Sequence, residues 1–328
     1  MSLEVSHLHK KYGSKVVVDD LSFTMEKPGV YALLGTNGAG KTTSIRMMLG
    51  MLARDGGEVL WNGKPLSIDS CNVGYLAEER GLYPKYGLMD QLMYFASLRG
   101  VPKNVAKERI LSLAKRLEVE EYLYPQTVST DIDLEGKKRT RLTAAQKKDR
   151  KPKLADQLSK GNQQKIQFMT ALLSDPELIV LDEPLSGLDP VNTDLIRDVI
   201  REEISKGKYL IMSSHQMATV EEFCTDLTIL NRSKTVLSGN LNEIKKSYGR
   251  VNLNLKCDSD ASAQIAACGV TLLSEKENEY RLKVEGEAQA NKLLANLIND
   301  GITVITFDLR EPSLHEIFVE KVGEENED

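Results

Sequence analysis

The chain has 328 residues, 41% of them apolar and 28% charged, with a net charge of −5. That length suits one large domain and a smaller one, and the composition is that of a soluble globular protein. The acidic balance excludes wholesale nucleic-acid binding by charge alone, and no apolar run reaches the roughly 18 residues that a membrane span needs.

The opening Met1-Ser2-Leu3-Glu4-Val5 lacks the basic-then-apolar order of a signal peptide. The protein is therefore expected in the cytosol, meeting a membrane only through a partner or a surface. Cys71, Cys224, Cys257 and Cys268 form no CxxC pair and sit near no histidine at metal-ligand spacing. They read as reduced thiols.

Leu3 to His9 alternates like a strand, and Val16-Val17-Val18 is β-branched. After Pro28-Gly29 the apolar run Val30 to Leu34 leads into a glycine loop, Gly35-Thr36-Asn37-Gly38-Ala39-Gly40-Lys41-Thr42. Lys41 to Leu49 carries apolar residues at helical spacing, closed by Gly50. Glu58 to Trp61, ending in Asn62-Gly63, predicts one arm of a hairpin, and Val73 to Leu76 a short strand. Leu88 to Leu117 is helical, interrupted near Gly100 and Pro102. The stretch from Leu82 to Phe95 is rich in aromatics and methionine. It either fills the core of a helical subdomain or forms a groove for a helix of another subunit.

Residues 126–153 differ in kind. Nine Lys or Arg and one acid lie between Lys137 and Lys153, which predicts an exposed insertion. It reads as a solvated loop, a contact for anionic lipid headgroups, or a nucleic-acid contact, although it has no aromatics to stack on bases.

Order resumes with a helix from about Ser159, the buried strand Leu178 to Leu181, a helix opened by Asp189-Pro190, and the strand Tyr209 to Ser213. Strand and helix alternate, so the fold class is α/β with a mainly parallel sheet. A boundary falls near 235–250. Strands at 251–256, 270–275, 279–284 and 302–308, with helices at 260–267, 287–299 and 313–321, give the order βαββαβ. That order predicts a small ferredoxin-like α+β domain. Leu293, Leu294, Leu297 and Ile298 give its second helix an apolar face, and Glu324 to Asp328 is an acidic end.

The glycine loop carries the chemistry. Its glycines let backbone N–H groups aim at phosphate oxygens, and the helix beginning at Lys41 adds its positive end. Lys41 then reaches the β- and γ-phosphates, and the Thr42 hydroxyl ligates Mg²⁺, which makes ATP and Mg²⁺ the expected ligands. The apolar strand ending Leu181-Asp182-Glu183 delivers Asp182 to the metal and sets Glu183 to act on the attacking water. Ser159 opens the helix of Leu158-Ser159-Lys160-Gly161-Asn162-Gln163-Gln164-Lys165, where its hydroxyl and the backbone N–H groups form an anion site.

A phosphate loop, then Leu158-Ser159-Lys160-Gly161, then Leu181-Asp182-Glu183-Pro184, then Ser186-Gly187-Leu188-Asp189, then a strand ending in Ser214-His215, resembles the ordered motif set of ATP-binding cassette (ABC) ATPases. The resemblance covers about residues 1–230. It implies a P-loop NTPase of the ABC nucleotide-binding type over 1–235, with a helical subdomain over about 80–175. Residues 250–328, closing on Pro312-Ser313-Leu314-His315-Glu316-Ile317-Phe318, resemble the accessory C-terminal domain of ABC-2 type export ATPases. The resemblance further implies that Tyr12 stacks on adenine, that Gly35 to Thr43 (Thr36, Asn37, Gly38, Ala39, Gly40, Lys41 and Thr42 between) binds phosphate, and that His215 contacts the γ-phosphate. Ser159, Gly161 and Asp189 would act across a head-to-tail dimer, homo- or heteromeric, closing on two ATP molecules. A membrane subunit would be the partner, with the chain on the inner face of the membrane, and nucleic acid is not expected as one. Lys160 stands where the family usually has glycine, Asn162 where it has glutamine, and Glu78 where it has the glutamine of the loop after the Val73 strand. The alternative is a soluble ABC ATPase acting on ribosomes or DNA. Against it, the chain has one phosphate loop and one signature, and no heptad run.

Overall fold

The computed structural model describes residues 1–79, 81–123 and 153–324. The basic insertion over 126–153, save Lys153, lies outside the described residues, as do Arg80 and the acidic end beyond 324. The chain divides into two compact units, Met1–His215 with Leu230–Thr235, and Gln216–Ile229 with Val236–Asp328.

In the first unit β1 (Leu3–Tyr12) and β2 (Lys15–Met25) form an antiparallel hairpin that continues into β4 (Gly56–Trp61) and β5 (Lys64–Pro65). Asn62 and Gly63 both take positive φ, 51° and 74°, as a two-residue hairpin turn requires. The parallel part runs in the order β3 (Gly29–Gly35), β8 (Tyr209–Ser214), β7 (Leu178–Asp182), β6 (Val73–Leu76). β3, β7 and β8 are buried along their whole length, as strands covered on both faces must be.

Strands β9 (Asp226–Asn231) and β10 (Lys234–Asn240) follow, and Lys234 at the start of β10 lies opposite Asp19 of β2. Hydrophobic periodicity does not mark this pair. Its turn is built from Arg232 and Ser233 at φ 44° and 75°, without the glycine that would have marked it.

Helix α1 (Lys41–Met48) buries Ile45, Met47 and Met48 against Leu33, Val180 and Ile211. Each such side chain contributes about 1.5–3 kcal/mol on leaving water. The expected interruption divides α2 (Leu88–Leu98) from α3 (Lys103–Arg116), with Gly100 at φ 71°. A short α4 (Glu120–Leu123), then α5 (Lys160–Leu172) and α6 (Pro190–Ser205), complete the described helices of this unit.

The second unit holds α7 (Met217–Phe223), α8 (Leu241–Tyr248) and then β11 (Asn252–Cys257), α9 (Ser262–Ala267), β12 (Thr271–Lys276), β13 (Glu279–Lys283), α10 (Glu287–Asn299), β14 (Val304–Arg310) and α11 (Leu314–Glu324). Its sheet is antiparallel in the order β12-β13-β11-β14, which is the βαββαβ arrangement read from the sequence. Leu293 and Leu297 of α10 are buried with Leu253, Leu255, Tyr280 and Leu282. Ile298 is 62% exposed, so the apolar face of α10 is narrower than its sequence suggests. Helix α11 packs on α7, where the Glu221 carboxylate accepts the Leu314 N–H at 2.8 Å and pairs with Lys245 at 3.0 Å.

Candidate functional site

Strand β3 ends at Gly35, and Thr36 to Gly40 turn the chain into α1. Gly38 and Gly40 have φ of 82° and 110°. A Cβ on Gly40 would lie 2.6 Å from the Val17 carbonyl oxygen, so only glycine fits there. No side chain caps α1 and no acid occupies its first turn. Its leading N–H groups are therefore open to an anion. The Lys41 ammonium is buried; it donates to the Gly35 carbonyl at 2.8 Å and lies 3.5 Å from Glu183 Oε1.

The parallel sheet carries the acids to this loop. Asp182, the last residue of β7, is fully buried. Its Oδ1 accepts the Ser213 hydroxyl proton at 2.5 Å, while Oδ2 is buried without a hydrogen-bond partner. Burial pushes its carboxyl above the usual range, while the Ser213 hydrogen bond and the nearby Thr42 hydroxyl pull the other way. Glu183 sits at φ 51°, a left-handed conformation for a non-glycine residue. Its N–H donates to Ser213 Oγ at 2.9 Å, and its Oε2 lies 2.8 Å from His215 Nδ1.

Ser213 thus holds both acids at once. No sequence motif singles it out. The signal was a hydroxyl, in place of an apolar residue, at the buried end of a central strand.

A cleft of about 260 Å³ opens over the loop, lined by Thr36, Asn37, Gly38, Gly40, Lys41, Thr42 and Thr43, with Val17, Glu78 and Glu183. Ala39 is buried beneath them. Of the remaining residues expected at the nucleotide, Tyr12 does not line this cleft; it is 54% exposed at the end of β1, with Lys10 Nζ 5.4 Å from its ring centroid. Ser159, Gly161 and Asp189, expected to act on the nucleotide of an opposite protomer, do not line it. Ser159 Oγ accepts the Asn162 N–H at 3.2 Å to cap α5, and Asp189 accepts the Asn192 N–H at 2.9 Å to cap α6. Gly161 packs so closely on Leu188 and Asn192 that a Cβ would meet them at 3.4 and 3.3 Å. The signature and the Asp189 loop are therefore neighbours. Asn162, at the usual glutamine position, donates to the Tyr122 hydroxyl at 3.1 Å.

Residues 18–186 match the family model described as "ABC transporter". This chain belongs to the ABC transporter ATP-binding family. ABC ATP-binding proteins bind and hydrolyse ATP. Residues 239–322 also match a family model of the DrrA1-3-like ATP-binding protein C-terminal domain. The Bacillus subtilis protein named "Uncharacterized ABC transporter ATP-binding protein YhaQ" is 38% identical over 322 residues, 98% of both chains. The Nod factor export ATP-binding protein I of Ralstonia nicotianae is 29% identical over 74% of this chain and 68% of its own. A solved structure titled "Structure of ATP binding subunit of ABC transporter" superimposes with a TM-score of 0.62 at 26% identity, covering 76% of this chain and 93% of that one. Among the described residues no helix is long and apolar enough to cross a membrane.

Proposed function

We propose that this chain is the ATP-hydrolysing subunit of an ABC membrane exporter, working as a head-to-tail dimer with two ATP molecules at its interface. One observation carries the reading: Lys41, Asp182, Glu183 and His215 converge at the uncapped start of α1. The name of the Ralstonia relative, a Nod factor export ATP-binding protein, supports export.

In this reading the N–H groups of Gly35 to Thr43 cradle the triphosphate, and Tyr12 stacks on the adenine. Lys41 exchanges Glu183 for the β- and γ-phosphates. The metal-facing residues fit Mg²⁺, because Asp182 offers a buried oxygen with no partner beside the Thr42 hydroxyl, and hard cations take oxygen ligands. Bound there, Mg²⁺ would offset negative charge on the phosphates. Glu183, steered by Ser213 and His215, accepts the proton of the attacking water. His215 then contacts the γ-phosphate, and Glu78, which lines the cleft, would approach Mg²⁺ through water.

Ser159, Gly161 and Asp189 serve the nucleotide of the opposite protomer, which accounts for their distance from the cleft of their own chain. Residues 1–235 form the ATP-binding domain and 250–328 its accessory domain. Size-exclusion chromatography of Glu183→Gln with saturating ATP should show a dimer; a monomer at every ATP concentration would overturn this part.

The membrane subunit docks near α2. Leu88, Leu92 and Ala96 face the core, whereas Tyr83, Tyr86 and Tyr94 are 47%, 65% and 49% exposed. The turn that carries Tyr83 and Tyr86 is tied to α2: the buried Gln91 accepts the Tyr83 N–H at 2.7 Å and donates to the Tyr83 and Tyr86 carbonyls at 2.9 Å. Exposed aromatics held in place suit a protein interface. Purification from membranes should bring down a polytopic membrane protein. Recovery with ribosomal or DNA components instead would contradict the exporter reading.

A further inference from the structure

The loop that carries Glu78 into the cleft is held by a residue with no part in the motifs described above. Gln167 lies in the middle of α5, the helix opened by Ser159. Its side chain is buried, and its Nε2 donates to the Ala77 carbonyl at 3.1 Å and the Glu79 carbonyl at 2.8 Å. These two acceptors flank Glu78, so one amide grips the backbone on both sides of the residue that lines the cleft. The amide orientation follows from its partners: turned over, Oε1 would face two carbonyl oxygens. As it stands, Oε1 is buried with no partner. A buried amide kept in that state costs stability, and the grip on the loop is what it provides in exchange.

A second contact makes the assembly stiff. Gly74, in β6 just ahead of the loop, lies so close to α5 that a Cβ there would sit 2.0 Å from the Ala171 carbonyl oxygen. Gln167 and Ala171 are four positions apart, one turn of the same helix face. Helix α5 therefore touches β6 by backbone contact at one point and holds the following loop by hydrogen bonds at the next. On its other side the loop meets α1, where Arg46 reaches Glu79 at 3.5 Å.

We propose that Gln167 is a positioning residue for the phosphate cleft: it fastens the Glu78 loop to the signature helix, so that Ser159 at the start of that helix and Glu78 move as one piece. This rests on the reading of the cleft as the site of ATP hydrolysis. A displacement of α5 as the signature engages nucleotide would carry Glu78 with it. Loss of the clamp would leave the nucleotide bound but the loop out of step.

Gln167→Met keeps the volume and removes both donors. Hydrogen exchange on the full chain tests the clamp without relying on activity. The amides of Ala77 to Glu79 should exchange about tenfold faster in Gln167→Met, while those of α1 stay unchanged; equal rates at 77–79 would overturn the clamp. A mutant cycle tests the coupling. Gln167→Met should lower ATP turnover about tenfold with KM changed less than twofold. In a Glu78→Ala background the same substitution should change turnover less than twofold, because the residue it positions is gone. A further tenfold loss in that background, or a loss expressed only in KM, would overturn the positioning role. Wild-type protein that fails to hydrolyse ATP would overturn the reading of the cleft, and the exchange rates would still decide the clamp.

Discussion

Glu183 is held in a backbone conformation that costs a non-glycine residue about 1–2 kcal/mol, and Ser213 explains how it is kept there. The serine hydroxyl takes the Glu183 N–H and gives its own proton to Asp182. Replacing it removes an acceptor and a donor together. Ser213→Ala should destabilise the protein by about 1–3 kcal/mol, the range for stranded buried polar groups, and should lower ATP turnover at least tenfold. Denaturant midpoints and phosphate release measure the two effects; unchanged turnover would separate Ser213 from the chemistry. Lys41 is placed for exchange: its present partners, the Gly35 carbonyl and Glu183, are ones a triphosphate would displace. Lys41→Ala should weaken nucleotide binding at least tenfold in a fluorescent-nucleotide titration, and unaltered affinity would contradict its role. At this scale the sequence was most legible where one residue type is indispensable. Lys41, Thr42, Asp182 and Glu183 announce themselves by spacing. Ser213 and Gln167 act through hydrogen bonds to groups 30 and 88 to 90 positions away, and no local pattern encodes such a partner.

Elements were legible in proportion to the regularity of their signals. Helix α6 begins at Pro190 after the Asp189 cap, and α5 at Lys160 after the Ser159 cap, because capping chemistry is local. Strands β9 and β10 escaped because Arg232 and Ser233 make their turn. The approach of α5 to β6 at Gly74 was also invisible, since its φ is ordinary and only the tertiary neighbour demands glycine. Gly74→Ala should destabilise the first unit by about 1–3 kcal/mol, the usual cost of overpacking. Chemical denaturation checks this, and a neutral result would mean that α5 can withdraw from the sheet freely. Ser159→Ala should cost about 1 kcal/mol as a lost helix cap.

Across the whole molecule, the thiols report on folding in both units. Burial pushes Cys71 and Cys224 up to about 12, from an ordinary value of 9.0. A raised thiol pKa means that the folded state holds its proton more tightly than the unfolded chain. The stabilisation is therefore complete below about pH 9 and is lost as pH rises toward 12. Neither thiol should react with an aromatic disulfide at pH 8 until denaturant is added, and alkaline unfolding should set in over that window; fast labelling of the native protein at pH 8 would contradict their burial. The βαββαβ order and the parallel sheet were readable at this scale because hydrophobic periodicity repeats over many residues. The contact of Gly161 with Leu188 and Asn192 was not, since it follows from packing between α5 and the start of α6.

The central claim is that Glu183 activates water for ATP hydrolysis in the cleft above α1. Phosphate release by purified wild-type protein and by Glu183→Gln tests it most directly. The wild type should turn over ATP, and the variant should bind ATP within a fewfold of the same affinity while its turnover falls by 10²–10⁴, the span typical of a general base. Phosphate release by Glu183→Gln at the wild-type rate would contradict the claim.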